Sequence, residues 1–91
     1  MSETLTKELE IKNKKGLHAR AAAAFVKTAE PFDAVVEVER IGQTVSGCSI
    51  MGLMMLAASQ GTTIKITCSG NQGAEAMAAL EKLLDNKFGE D

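Results

Sequence analysis

At 91 residues, with 45% hydrophobic and 24% charged positions, the sequence has the make-up of one globular domain, able to bury roughly 60–70% of its unfolded surface without staples. Its formal net charge of −2 argues against a nucleic-acid binder, because phosphate backbones call for a basic face. Met1 to Lys12 lacks the apolar core of a signal peptide, and the longest apolar run, Ile50 to Ala58, is about half a membrane span, so a cytoplasmic protein with no membrane contact is expected.

Leu5 to Lys12 alternates as a strand does, with Leu5, Leu9 and Ile11 as its apolar members. Gly16-Leu17-His18-Ala19-Arg20 follows, and it holds the only histidine. Ala19 to Ala29 is a run of helix formers with Ala22, Phe25, Val26 and Ala29 on one face, and Pro31 marks its end. Ala34 to Arg40 reads as a strand with Ala34, Val36 and Val38 inward and Glu37 and Glu39 in water. Ile41-Gly42-Gln43 turns into a short strand around Gln43 to Ser46, completing a hairpin. Ser49 to Ala58 is a short helix with Ser49 placed to cap it, stopped by Gly61. Thr63 to Ser69 is a strand with Ile64, Ile66 and Cys68 on one face, and Ala74 to Lys87 is an amphipathic helix striped by Ala76, Met77, Leu80, Leu83 and Leu84. The order is β-α-β-β-α-β-α. Each strand has one polar face, which suits an α+β fold with helices on one side of the sheet.

The strand-to-helix junction carries the chemistry. It puts His18 at or beside a helix N-terminus, where free backbone N–H groups and the dipole attract anions. Arg20 adds a guanidinium able to fork onto phosphate oxygens, and neutral imidazole is a nucleophile at cellular pH. These features suggest a site that takes up and passes on a phosphoryl group. On spacing alone, a surface histidine beside a cap and a solvated arginine account for the same residues.

Elsewhere the sequence offers less chemistry. Cys48 and Cys68 read as two reduced, structural residues: with His18 they supply only three potential zinc ligands, at no ligand-type spacing. No metal or cofactor is expected. In the second helix Ile50, Leu53 and Leu56 are expected inward and Met51 and Met54 outward, with Met55 open to either. Exposed methionine adapts to partners of several shapes, and Ala22, Ala23 and Ala24 leave a smooth helix face beside it. Phe88 is expected to anchor the tail, ahead of solvated Glu90 and Asp91.

Gly-Leu-His-Ala-Arg after a short first strand, with Ser49-Ile50-Met51-Gly52-Leu53-Met54 downstream, resembles the histidine-containing phosphocarrier (HPr) family of the bacterial phosphotransferase system, over nearly the whole chain. The resemblance implies a single HPr-like domain, 1–91, folded as an open-faced β-sandwich of four antiparallel strands under three helices. It implies that His18 accepts a phosphoryl group from phosphorylated enzyme I and donates it to enzyme IIA proteins, with Arg20 stabilising that group, and that the protein is a monomeric carrier without turnover of its own. Ser49 matches the serine that an ATP-dependent HPr kinase/phosphorylase modifies in some members, and Ala23, Met51 and Met54 match the docking face for partners. Two departures stand out: Ala21 replaces a common proline, and Cys48 replaces a common basic residue. The tail Phe88-Gly89-Glu90-Asp91 also resembles the ends of nitrogen-branch paralogues (the NPr type). Two other classes remain open: a small-molecule-binding regulatory module, and an interaction domain acting through Ser49 with His18 idle.

Overall fold

The computed structural model describes residues 3–90. Its strands are β1 (Glu3–Glu10), β2 (Val35–Arg40), β3 (Gln43–Ser46) and β4 (Thr63–Gly70). Its helices are α1 (Ala19–Ala29), α2 (Ile50–Met55) and α3 (Gly73–Asp85), followed by a single 3-10 turn, Lys87–Gly89. The four strands form one antiparallel sheet in the order β1-β4-β2-β3.

Register explains why only one face is covered. Leu5 and Leu9 lie opposite Cys68 and Ile64, while Val36 and Val38 lie opposite Cys68 and Ile66, so all these side chains share the helical side. Ile64, Ile66, Cys68 and Val38 are fully buried there, against Phe25 of α1, Leu53 of α2, and Met77, Leu80 and Leu84 of α3. Lys7 breaks the alternation on this side, but its edge position lets the ammonium reach Glu81 of α3 at 2.9 Å. The other face is polar, with Thr6 and Thr67 hydroxyls 3.2 Å apart and Lys65 3.4 Å from Glu39. The fold is the α+β open-faced sandwich expected from the sequence.

Several details differ from that expectation. Ile11 lies beyond β1 yet is fully buried, held by hydrogen bonds to Thr62 and from Gly61. α2 ends at Met55, not Ala58, because Ala57 takes a left-handed φ of 52° that no helix accepts. Ile50 faces outward, 40% exposed, since as the first residue of a six-residue helix it lies at the seam with α1 while Leu53 and Leu56 fill the core. Ala22 is buried under α1 with Phe25 and Val26, so the smooth outer face is left to Ala23 and, in part, Ala24. Cys48 is exposed, unlike Cys68, and both are free thiols. α3 stops at Asp85, because Lys87 and Phe88 adopt φ of 55° and 57°. Among the described residues, no helix is long and apolar enough to cross a membrane.

Candidate functional site

The loop before α1 is shaped by one glycine. Gly16 has a φ of 67°, and a Cβ there would sit 2.4 Å from the carbonyl oxygen of Ala58, so neither its conformation nor its packing admits a side chain. Close approach lets the Leu17 N–H donate to that same carbonyl at 2.8 Å. With Leu17 anchored in the core, the next residue is delivered to the start of α1.

That residue, His18, is the N-cap. Its backbone is extended and its C=O accepts the first helical bond, from Ala22 N–H at 2.8 Å. The N–H groups of Ala19, Arg20 and Ala21 precede that bond and have no partner within the helix. Ordinarily a Ser, Thr, Asp or Asn side chain would satisfy one of them, a contribution of about 1 kcal/mol. Here the N-cap side chain makes no such bond, and the first turn carries no acid. Instead it carries the exposed Arg20, the sign a helix N-terminus disfavours for its own stability and the sign an incoming anion needs. Ala21 is the third helical residue and fully buried.

An open basin of about 460 Å³ lies beside this end of α1, lined by Lys14, Lys15, Arg20, Phe88, Gly89 and Glu90. Neither Lys14, Lys15 nor Arg20 is in an ion pair among the described residues. Phe88 is buried as an anchor, but Glu90 is not solvated: its side chain is only 17% exposed, and Asp91 lies outside the described residues. Lys87, Phe88 and Gly89 all have positive φ, which folds the tail back over the site. Glu90 Oε2 then lies 2.6 Å from His18 Nε2, and Glu90 Oε1 accepts from Asn13 Nδ2 at 2.9 Å. Asn13 is fully buried, and the same Nδ2 also donates to Gly16 C=O at 2.8 Å, so two acceptors fix which way its amide points. The Asn13 amide holds the Glu90 carboxyl below its ordinary value against the opposing effect of desolvation, helped by His18 and Lys15. An ionised carboxylate only accepts, so the 2.6 Å bond places a proton on Nε2.

Ser49 is the N-cap of α2 and accepts from Gly52 N–H at 3.0 Å, as its sequence position suggested. Met51 and Met54 are exposed, and Met55 joins them. Ala23 lines a shallow groove with Val26, Lys27 and Ile50, so the exposed faces of α1 and α2 adjoin. Sequence reasoning missed Asn13 and Glu90. Asn13-Lys14-Lys15-Gly16 has the composition of a turn, which signals a loop but not its target. Glu90 reaches His18 across 72 positions, and no local pattern encodes that.

Four antiparallel strands under three helices, with one histidine at the bare start of the first helix, define the class of open-faced sandwiches to which histidine phosphocarriers belong. The family described as "PTS HPr component phosphorylation site" matches residues 5–86. The phosphocarrier protein HPr of Neisseria meningitidis serogroup A is 50% identical over 86 residues, covering 94% of this chain and 97% of its own. A solved HPr-C-His from Thermoanaerobacter tengcongensis superposes with a TM-score of 0.91 at 46% identity, covering 96% of this chain and 98% of its own. An HPr dimer from the same organism matches with a TM-score of 0.76 at 49% identity, covering 90% and 94%. The chain belongs to the HPr phosphocarrier family of the bacterial phosphotransferase system.

Proposed function

We propose that His18 accepts a phosphoryl group from phosphorylated enzyme I, itself charged by phosphoenolpyruvate, and donates it to enzyme IIA proteins. The observation that carries this reading is an N-cap histidine that leaves its helix uncapped, with Arg20 in the first turn. Such a site stabilises a dianion by backbone N–H groups and one guanidinium at the surface. Moderate stabilisation suits a carrier, which must release what it binds. The protein is then a substrate of its partner enzymes, a cytoplasmic single-domain monomer with no turnover of its own. Ala23, Met51 and Met54 supply the docking face. Phosphorylation of Ser49 by an HPr kinase adds negative charge there and weakens docking.

Intact mass spectrometry after incubation with phosphoenolpyruvate and catalytic enzyme I tests the reading. An acid-labile gain of one phosphoryl group on wild type, absent from His18→Ala, is the expected result. No gain on wild type with enzyme I from the same organism overturns it.

A further inference from the structure

We infer that Glu90 is a positioning residue for His18: its carboxylate accepts the Nε2–H, leaves Nδ1 as the free lone pair, and offsets the positive charge the ring gains on accepting a phosphoryl group. The inference rests on the carrier reading for its consequence, but its geometry stands alone. Glu90 Oε2 is 2.6 Å from Nε2, and its other oxygen is tied to the fully buried Asn13. Asn13 in turn holds the Gly16 carbonyl, two residues before the histidine. Tail, loop and ring thus form one connected set, with the carboxylate itself oriented by a third group. Three successive positive φ values, at Lys87, Phe88 and Gly89, are what bring Glu90 there. For Lys87 and Phe88 that conformation is disfavoured, a cost the buried Phe88 ring helps to offset.

The chemistry balances simply. The Nδ1 lone pair attacks phosphorus of a phosphorylated donor protein, an N–P bond forms, and the pair of the breaking bond leaves with the donor atom that carried the phosphoryl group. The Nε2 proton stays in place, so the ring becomes cationic and faces an anionic partner, as an imidazolium faces a buried aspartate in a hydrolase triad. Glu90 touches no reacting atom.

Nitrogen-15 NMR of the His18 ring in the full-length, unphosphorylated chain, paired with single-turnover transfer from phosphorylated enzyme I, tests the assignment. Wild type should show the Nε2–H tautomer alone, and Glu90→Ala the two-tautomer exchange of a free imidazole. The transfer rate constant should fall roughly tenfold in Glu90→Ala at unchanged KM. Glu90→Asp should restore both readouts, while Glu90→Gln, whose single amide oxygen cannot accept from both Asn13 and the ring, should lose the tautomer preference and the rate much as Glu90→Ala does. Identical tautomer populations in wild type and Glu90→Ala, or identical rate constants, overturn the inference. Absence of transfer in every protein, wild type included, strikes the carrier reading instead, and the tautomer measurement still decides what Glu90 does to the ring.

Discussion

Two helices of this protein begin in opposite ways. α2 starts with Ser49, whose hydroxyl accepts the Gly52 N–H, and its far end is tended by Arg40, which donates to the Leu56 carbonyl at 3.0 Å. α1 starts with His18, which caps nothing, and follows it with a cation where stability favours an acid. The first arrangement is what helix formation asks for. The second gives up roughly 1 kcal/mol and leaves three N–H groups without a partner in the helix. Local rules that fail at one helix and hold at its neighbour separate the part of the molecule to which binding is proposed from the part kept for folding.

Exchanging the caps gives the largest expected effect. His18→Ser should abolish phosphoryl acceptance altogether, while a new N-cap bond and a lost Glu90 partner leave stability within about 1 kcal/mol of wild type. Intact mass and urea denaturation read the two quantities separately. Arg20→Ala should come next, slowing transfer by roughly tenfold, less than the 10²–10³ expected for a preorganised donor in a water-excluded site, because the guanidinium is exposed. Removing a cation from the first turn should leave urea denaturation the same or slightly improved. Met51→Asp with Met54→Asp acts on the neighbouring face and should raise the apparent KM for enzyme I several-fold at unchanged melting temperature, since both side chains are exposed. Unaltered kinetics in that double variant would remove the methionines from the proposed docking face.

Much of this contrast is legible in the sequence, and the reason differs by element. α1 is found at its true boundaries because His18 and Pro31 bracket a run of helix formers with a clear apolar face. β4 is found because Ile64, Ile66 and Cys68 alternate without interruption. α2 is overrun because its apolar residues continue past the point where Ala57 turns left-handed, a choice made by the packing of Leu56 and Ala58 rather than by composition. Ile50 is misplaced for a related reason: six residues make too little helix for a periodic pattern to fix a face. The helix start at His18 and the exposed cation beside it are legible from the helix boundary and Arg20. The histidine's carboxylate partner is not, because Glu90 arrives from the other end of the chain through a backbone turn that no residue between Lys87 and Gly89 announces.

Ser49→Ala should have a smaller effect and a different kind: about 1 kcal/mol of stability lost in urea denaturation, with the chemistry of His18 untouched. It would show that the two helix starts are separable.

The smallest effect concerns the tail that closes over the α1 site. Glu90 has its carboxyl held below the ordinary carboxylate value by the Asn13 amide first, with His18 and Lys15 contributing. A lowered folded-state value means the unfolded chain binds the proton more readily. The tail contact is therefore fully present at neutral pH, begins to weaken as pH falls through the ordinary carboxylate range, and is lost once it passes the folded-state value. His18 shares its hydrogen bond and Lys14, Lys15 and Arg20 share its basin, and no other acid among the described residues lines that basin, so nothing on that side replaces the lost charge. Amide NMR signals of Asn13 and Gly89 should move together in an acid titration of wild type and stay still in Glu90→Gln. Ser49, capped by a neutral hydroxyl, supplies the internal control: the Gly52 amide should not follow the same curve. If Gly52 moves with Gly89, the two helix starts are coupled through the core rather than independent, and the division of labour between them fails.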